Sequence, residues 1–259
     1  MTKRGRVIIS NQKNYLLPTI YYLLTSCYTA GMKKKPLLFQ AISIFPEVFD
    51  AYLSASILGR ARKSGLIDFE AINLRKWTHD VHQTVDDKPF GGGAGMLMKP
   101  EPFHEALVEL GIRRKKDGGA TAKAKKTKVI VTAANGKLFT HVDAVRLAKE
   151  DRIVFLCGRY EGIDQRVIDV LADEVFSIGS FVLTGGELPA MVMTDAIARQ
   201  IPGVLGDSAS LDEESWADGS GEYPQYTRPE VWLGHEVPKV LLSGNHAKIK
   251  EWRDRKRKW

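Results

Sequence analysis

Cys157-Gly158-Arg159-Tyr160-Glu161-Gly162-Ile163-Asp164 follows the apolar run Ile153 to Leu156, and Gly179-Ser180-Phe181-Val182-Leu183-Thr184-Gly185-Gly186-Glu187 follows a second such run, Val175 to Ile178. Each Gly-rich turn precedes a helix-like pattern, so both belong at the C-terminal ends of strands, the edge at which open α/β sheets bind ligands. Thr132-Ala133-Ala134-Asn135-Gly136 makes a third junction of this kind after the strand Lys128 to Val131. Three turns converging on one edge predict a pocket. None of them reads G-x-G-x-x-G, and no G-x-x-x-x-G-K-[ST] occurs in the chain. A nucleotide-like ligand held without a pyrophosphate cradle is therefore expected, its edges met by backbone groups that glycine lets approach closely. Tight turns with no ligand are the competing reading, because glycine is the ordinary turn residue.

Working outward, Leu38 to Phe45 reads as a buried strand, and Pro46 and Glu47 open a helix through Leu53. Ile57 to Lys63 continues helical, and Ile67 to Leu74 alternates like a strand. Lys76 to Met98 has no clear period and reads as a long ordered loop, a length that is usually functional or disordered. Pro100 and Pro102 start a helix that Gly111 ends, and Glu187 to Gln200 has helical spacing with Pro202 just beyond it. Residues 112–127 are low-complexity and like-charged, which predicts a mobile loop, either merely solvated or touching RNA. Residues 206–222 are acidic and rich in Gly and Ser, as in a flexible linker, and residues 223–259 read as a small helical domain. Strands alternating with helices over residues 36–205 give an α/β domain.

With 259 residues, 44% of them hydrophobic, the chain can bury a full core. Cys27 and Cys157 make no disulfide framework, and the fit is a reducing cytoplasm. The net charge of +7 misleads as a whole-chain number: residues 1–35 hold seven Lys or Arg and no acid, so the remainder is neutral. Within that remainder Arg113 to Lys128 carries eight bases against Asp117, and Lys248 to Lys258 carries seven against Glu251 and Asp254. A polyanion would meet local basic patches on an otherwise acidic body. Residues 1–35 share neither pattern nor charge balance with the rest. Pro18, Thr19 and the tyrosines break their likeness to a secretory leader, the apolar run is too short to span a bilayer, and Met32 is the expected natural start.

Further segments carry a resemblance: Ser43-Ile44-Phe45-Pro46-Glu47, Thr78-His79-Asp80, Thr84-Val85-Asp86-Asp87, Gly91-Gly92-Gly93-Ala94-Gly95-Met96, Ile201-Pro202-Gly203-Val204-Leu205-Gly206, Tyr226-Thr227-Arg228-Pro229 and Leu241-Leu242-Ser243-Gly244-Asn245-His246. With the two Gly-rich turns, and in this order from Ala41 through about Trp252, they resemble the bacterial tRNA (guanine-37-N1)-methyltransferases of the SPOUT superfamily. The resemblance implies an α/β sheet with a deep trefoil knot, a helical C-terminal domain that binds tRNA, and a homodimer whose active sites combine both subunits. It implies S-adenosylmethionine as the methyl donor and magnesium dependence, with Glu161 as a candidate influence on the metal. No protein-built metal site is expected, because His79, Asp80 and His82 lack the spacing of a zinc helix motif.

Methylating guanine N1 requires its proton to leave, so a carboxylate must act as general base and a cation should stabilise charge developing on O6. By resemblance the donor is held by Val131, Thr132, Ala133, Gly158, Tyr160, Glu161, Ile178, Gly179, Phe181, Leu183, Gly185 and Gly186. Arg199 matches the arginine that handles the guanine. The family's linker aspartate is replaced here by Glu214, one methylene longer, with Asp212 and Glu213 as neighbouring substitutes. Arg159 has a plain structural alternative as the partner of Asp164. The basic terminal helix with Trp252 is expected to offer RNA a charged, stacking-capable surface. Rival readings are a related SPOUT enzyme acting on another base and a non-catalytic RNA- or donor-binding protein.

Overall fold

Strand β1 (Leu37–Ser43) is buried along nearly its whole length, the mark of a strand covered on both faces inside a parallel sheet. In the computed structural model, which describes residues 35–206 and 222–257, it lies between β2 (Ile67–Asn73) and β6 (Arg152–Cys157). β5 (Thr127–Leu138) and β7 (Glu174–Ser177) complete a five-stranded sheet of order β2-β1-β6-β5-β7, every pair parallel. β2 alternates in burial, as an edge strand does, and as its sequence predicts. The expected N-terminal extension and Asp212, Glu213 and Glu214 of the expected linker lie outside the described residues.

Side-chain alternation along β5 and β6 splits the core into two layers. Ile130, Ile153 and Phe155 join Phe39, Phe49 and Met193 on one face of the sheet. Val129, Val131, Val154 and Leu156 join Phe103, Leu107 and Val167 on the other. Helices α1 (Asp50–Leu53), α2 (Ser56–Lys63), α3 (Pro100–Glu109), α4 (His141–Leu147), α5 (Gln165–Leu171) and α6 (Glu187–Ala198) supply the cover. The α/β class read from the sequence is the observed one. β1 stops two residues short of Phe45 because the Ser43 hydroxyl accepts the Phe45 N–H at 2.9 Å and turns the chain into a short 3-10 segment, Pro46–Val48.

Two expectations about the sheet and its loops need correction. β5 does not end at Val131: it breaks register after Thr132 and resumes at Lys137, so that Phe176 pairs with both residues and 133–136 bulge from the strand end. Gly136 permits this, because a Cβ there would sit 2.7 Å from the Phe176 carbonyl carbon. Residues 112–127 form a defined excursion, with a bridge between Arg113 and Ala120 and a 3-10 turn, Ala122–Ala124. Periodicity missed it because its anchor is a buried arginine. The loop 76–98, by contrast, is ordered as expected and carries a two-strand ribbon, β3 (Asp86–Asp87) with β4 (Leu97–Met98).

The C-terminal segment holds a short hairpin, β8 (Val231–Trp232) with β9 (His235–Glu236), followed by helices α7 (Lys239–Leu242) and α8 (His246–Lys256). Asn245 caps α8 by accepting the Lys248 N–H at 3.1 Å. Here the expected role of Trp252 is corrected: it is 8% exposed, with its ring 6.3 Å from that of Tyr226, so it is core and not a stacking platform. No helix among the described residues is long and apolar enough to cross a membrane.

Candidate active site

Because all five strands run the same way, the turns that leave β5, β6 and β7 meet at one edge. The turn after β6 is closed by Gly162 donating to the Arg159 carbonyl at 3.1 Å, and Asp164 then caps α5 by accepting the Arg166 N–H at 2.9 Å. Asp164 also takes the Arg166 guanidinium, at 2.8 and 2.7 Å, so it is not the partner of Arg159. The turn after β7 docks on this one: Gly186 donates its N–H to the Gly158 carbonyl at 2.9 Å, and the Thr132 hydroxyl at the break in β5 donates to the Gly186 carbonyl at 3.2 Å. A Cβ at Gly186 would come within 2.9 Å of the Cys157 Cα and 3.0 Å of the Gly158 nitrogen. Only glycine fits where three turns interlock.

An ion pair with a buried carboxylate braces the same junction. Glu187, the first residue of α6, has a side chain only 3% exposed and accepts from Arg159 Nε at 3.0 Å and from the Ser43 hydroxyl at 2.6 Å. The Arg159 guanidinium lies over the Phe45 ring, 4.6 Å from its centre. This places the Ser43-Ile44-Phe45 segment at the foot of the site, where each end of the pair has a second partner. Beneath it, burial, with help from the Glu187 carboxylate, pushes the Cys157 thiol well above the ordinary thiol range, so this cysteine is an inert core residue.

The interlocked turns enclose a cleft of about 400 Å³, within the ~300–1,000 Å³ of small-molecule sites. Val131, Thr132, Ala133, Gly158, Tyr160, Glu161, Ile178, Phe181, Leu183, Gly185 and Gly186 all line it. Gly179 does not: it exchanges hydrogen bonds with the Ser177 hydroxyl, and a Cβ there would stand 2.9 Å from Phe181 Cζ, so its part is to let that ring fold back. The lip is apolar and open, with Tyr160, Phe181 and Val182 exposed, as suits a flat ligand face. Tyr160 holds φ at +58°, a conformation costly for a non-glycine residue and concentrated at functional sites. Gln165, Ile168 and Pro189 also line the cleft. The sequence signal for them was the start of each helix directly after its turn.

The glycine-rich end of the 76–98 loop is tied to this edge. Glu161 donates its N–H to the Met96 carbonyl at 3.0 Å, Met98 donates to the Gly162 carbonyl at 3.0 Å, and Asp164 donates to the Met98 carbonyl at 3.0 Å. Gly95 leaves room for Glu161, whose Cγ would be 2.5 Å from a Cβ there. Farther along the loop His79 meets Glu105 at 2.8 Å, and Asp80 accepts the Thr84 N–H at 2.9 Å. Among the described residues no three His, Cys, Asp or Glu side chains gather in a metal-holding group. The cleft offers Glu161 as its one carboxylate besides any from undescribed residues, which does not fit a protein cage for magnesium.

Arg199 is not among the residues that line the cleft. It caps the C-terminal end of α6, whose first residue is at the cleft, and a helix of that length spans roughly 18 Å.

A family model described as tRNA (Guanine-1)-methyltransferase TrmD matches residues 37–259. The chain belongs to this family. Among its TrmD-type relatives, one from Marinomonas sp. (strain MWYL1), called tRNA (guanine-N(1)-)-methyltransferase, is 49% identical over 212 residues, covering 82% of this chain and 81% of the relative. Relatives of the same name from Geobacter sp. (strain M21) and Photorhabdus laumondii are 47% and 49% identical, each covering about four-fifths of both chains.

Proposed function

We propose that this chain transfers a methyl group from S-adenosylmethionine to N1 of guanine 37 in tRNA. The observation that carries the reading is the cleft formed where Gly186, Gly158 and Thr132 interlock, in a chain matched to the TrmD family over residues 37–259. The cleft fits such a donor: backbone groups of the turns suit adenine edges and ribose hydroxyls, and the Tyr160, Phe181 and Leu183 side chains suit apolar faces. When bound, the donor supplies an activated methyl on its sulfonium, so the protein supplies placement and proton handling.

Glu214 is the proposed base. As the N1 proton passes to its carboxylate, the freed lone pair takes the methyl carbon and the carbon–sulfur electron pair stays on sulfur. Arg199 is the proposed cation for the charge that builds on O6. Its place at the far end of α6 from the cleft supports a homodimer in which the partner supplies one of these groups. Exposed apolar side chains support the same reading: Leu188 and Val192 on α6, and Val48 and Tyr52 at the start of the domain. Tyr52 donates its hydroxyl to Asp195, which ties the two elements together. With this go a deep trefoil knot, a C-terminal tRNA-binding domain and a cytoplasmic place of work, all implied by the family. Incubating the chain with labelled donor tests the reading: a tRNA transcript with guanine at position 37 becomes labelled, whereas equal labelling of a transcript with adenine there would refute it.

A further inference from the structure

The excursion that joins α3 to β5 is a fixed platform. Arg113, 4% exposed, donates from Nε and Nη2 to the Leu171 carbonyl at 3.0 and 2.7 Å, and from Nη2 to Asp173 Oδ1 at 2.7 Å. The other oxygen of Asp173 accepts the Val129 N–H at 2.7 Å, so the anchor reaches into the sheet. Gly118 packs where a Cβ would meet Val170 at 2.7 Å, and Ala124 is buried in the core.

From this platform Lys115, Lys116, Lys123 and Lys125 stand exposed. Asp117 is the single acid between Arg113 and Lys128, and both its oxygens are taken by the Arg114 guanidinium at 3.0 Å. Among the described residues no carboxylate pairs with the four lysines, and Lys126 alone reaches one, Asp151, at 3.9 Å. Like charges held this close repel one another until counter-charges arrive, and a polyphosphate backbone supplies them while releasing its own counterions. The platform feeds β5 at Thr127, at the N-terminal ends of the strands, whereas the cleft lies at their C-terminal ends. The stretch Thr127 to Thr132 separates the two by roughly 17 Å at the usual rise per strand residue.

We propose that the Lys115–Lys125 platform is a second RNA-backbone surface, binding phosphates of the tRNA substrate outside its anticodon arm. This rests on the tRNA reading of the cleft. An RNA with its target guanine at one end of the sheet meets the platform with phosphates away from that base.

The test replaces Lys115, Lys116, Lys123 and Lys125 together by Gln in the full chain and measures binding to whole tRNA and to an anticodon-arm fragment across a salt series. The expected result is weaker binding of whole tRNA, with the slope of log K against log salt reduced by roughly 3–4, since each lost phosphate contact removes ~0.7–0.9. Fragment affinity and donor binding stay unchanged. An unaltered slope with whole tRNA, or an equal loss with the fragment, overturns the inference alone. A wild-type chain that binds no tRNA overturns the substrate reading and this inference with it. Should the four changes together weaken donor binding, the pairs Lys115 with Lys116 and Lys123 with Lys125 carry the same test at about half the slope change.

Discussion

The Gly186 N–H meets the Gly158 carbonyl at 2.9 Å, joining the turn after β7 to the turn after β6 at the floor of the cleft. Neither turn closes a pocket by itself. The contact makes one site from segments far apart in sequence, and the Arg159–Glu187 pair beside it fixes their angle. Changes at this junction should therefore affect donor binding and stability together.

The kink in β5 offers the simplest stability test. Gly136→Ala places a carbon against the Phe176 backbone, where nothing can rotate away, and should cost about 1–3 kcal/mol while weakening donor binding. Gly206→Ala, with nothing within 4 Å of the new carbon, should stay within about 0.5 kcal/mol of the parent. Urea unfolding of the two variants checks both, and equal stabilities would remove the kink from the argument.

The ion pair makes a second prediction. Glu187→Gln leaves the partly exposed Arg159 guanidinium without its counter-charge, and the loss should be about 1.5–3 kcal/mol. Arg159→Met, which strands the buried Glu187 carboxylate, should cost about 3 kcal/mol, and Arg159→Met with Glu187→Gln together should cost less than the two single losses added. A double-mutant cycle by chemical denaturation reads the coupling. Strict additivity would mean that the two side chains do not brace one another.

Much of this was legible in the sequence because two signals coincided: β-branched runs of strand length, and glycines placed directly after them. That pairing placed the strand ends at Leu156 and Ile178, each one residue from the observed ends at Cys157 and Ser177, and so found the cleft they frame. It failed where one residue's environment decided the outcome. Arg113 reads as surface charge until Asp173 and the Leu171 carbonyl surround it, and Trp252 reads as a stacking platform until Tyr226 packs on it. The β5 kink was hidden because a strand that resumes after a four-residue bulge has no period of its own. Glu214, the residue on which the chemistry turns, lies outside the described residues, and its role rests on family resemblance.

Buried Cys157 gives a pH prediction. Its thiol is held neutral in the fold, so above the ordinary thiol range only the unfolded chain ionises there. The neutral thiol's contribution is complete below that range and is lost as pH rises through it. In a Cys27→Ser background, a thiol reagent should label the chain only after denaturant is added, and Cys157→Ala should flatten the fall in stability at alkaline pH. Prompt labelling of the native chain would contradict the buried placement.

The division of labour between Arg199 and Glu214 can be read by complementation. Arg199→Ala and Glu214→Gln should each cut methyl transfer by roughly 10²-fold with donor affinity intact. If each guanine takes the two groups from different subunits, mixing the inactive variants and letting them exchange should revive about one quarter of the sites, as the two-fold symmetry of a dimer requires. No recovery would place both groups in one subunit.

The most direct measurement identifies the methylated nucleoside. Wild-type chain, donor and a guanine-37 tRNA are incubated, the RNA is digested, and the product is assigned by mass and fragment sequence, in parallel with Gly186→Val. The predicted result is 1-methylguanosine at position 37 from the wild type, and none from Gly186→Val although that variant still binds tRNA. A methyl group on any other atom or base, or 1-methylguanosine formed at the wild-type rate by Gly186→Val, would contradict the claim that the interlocked turns deliver the methyl.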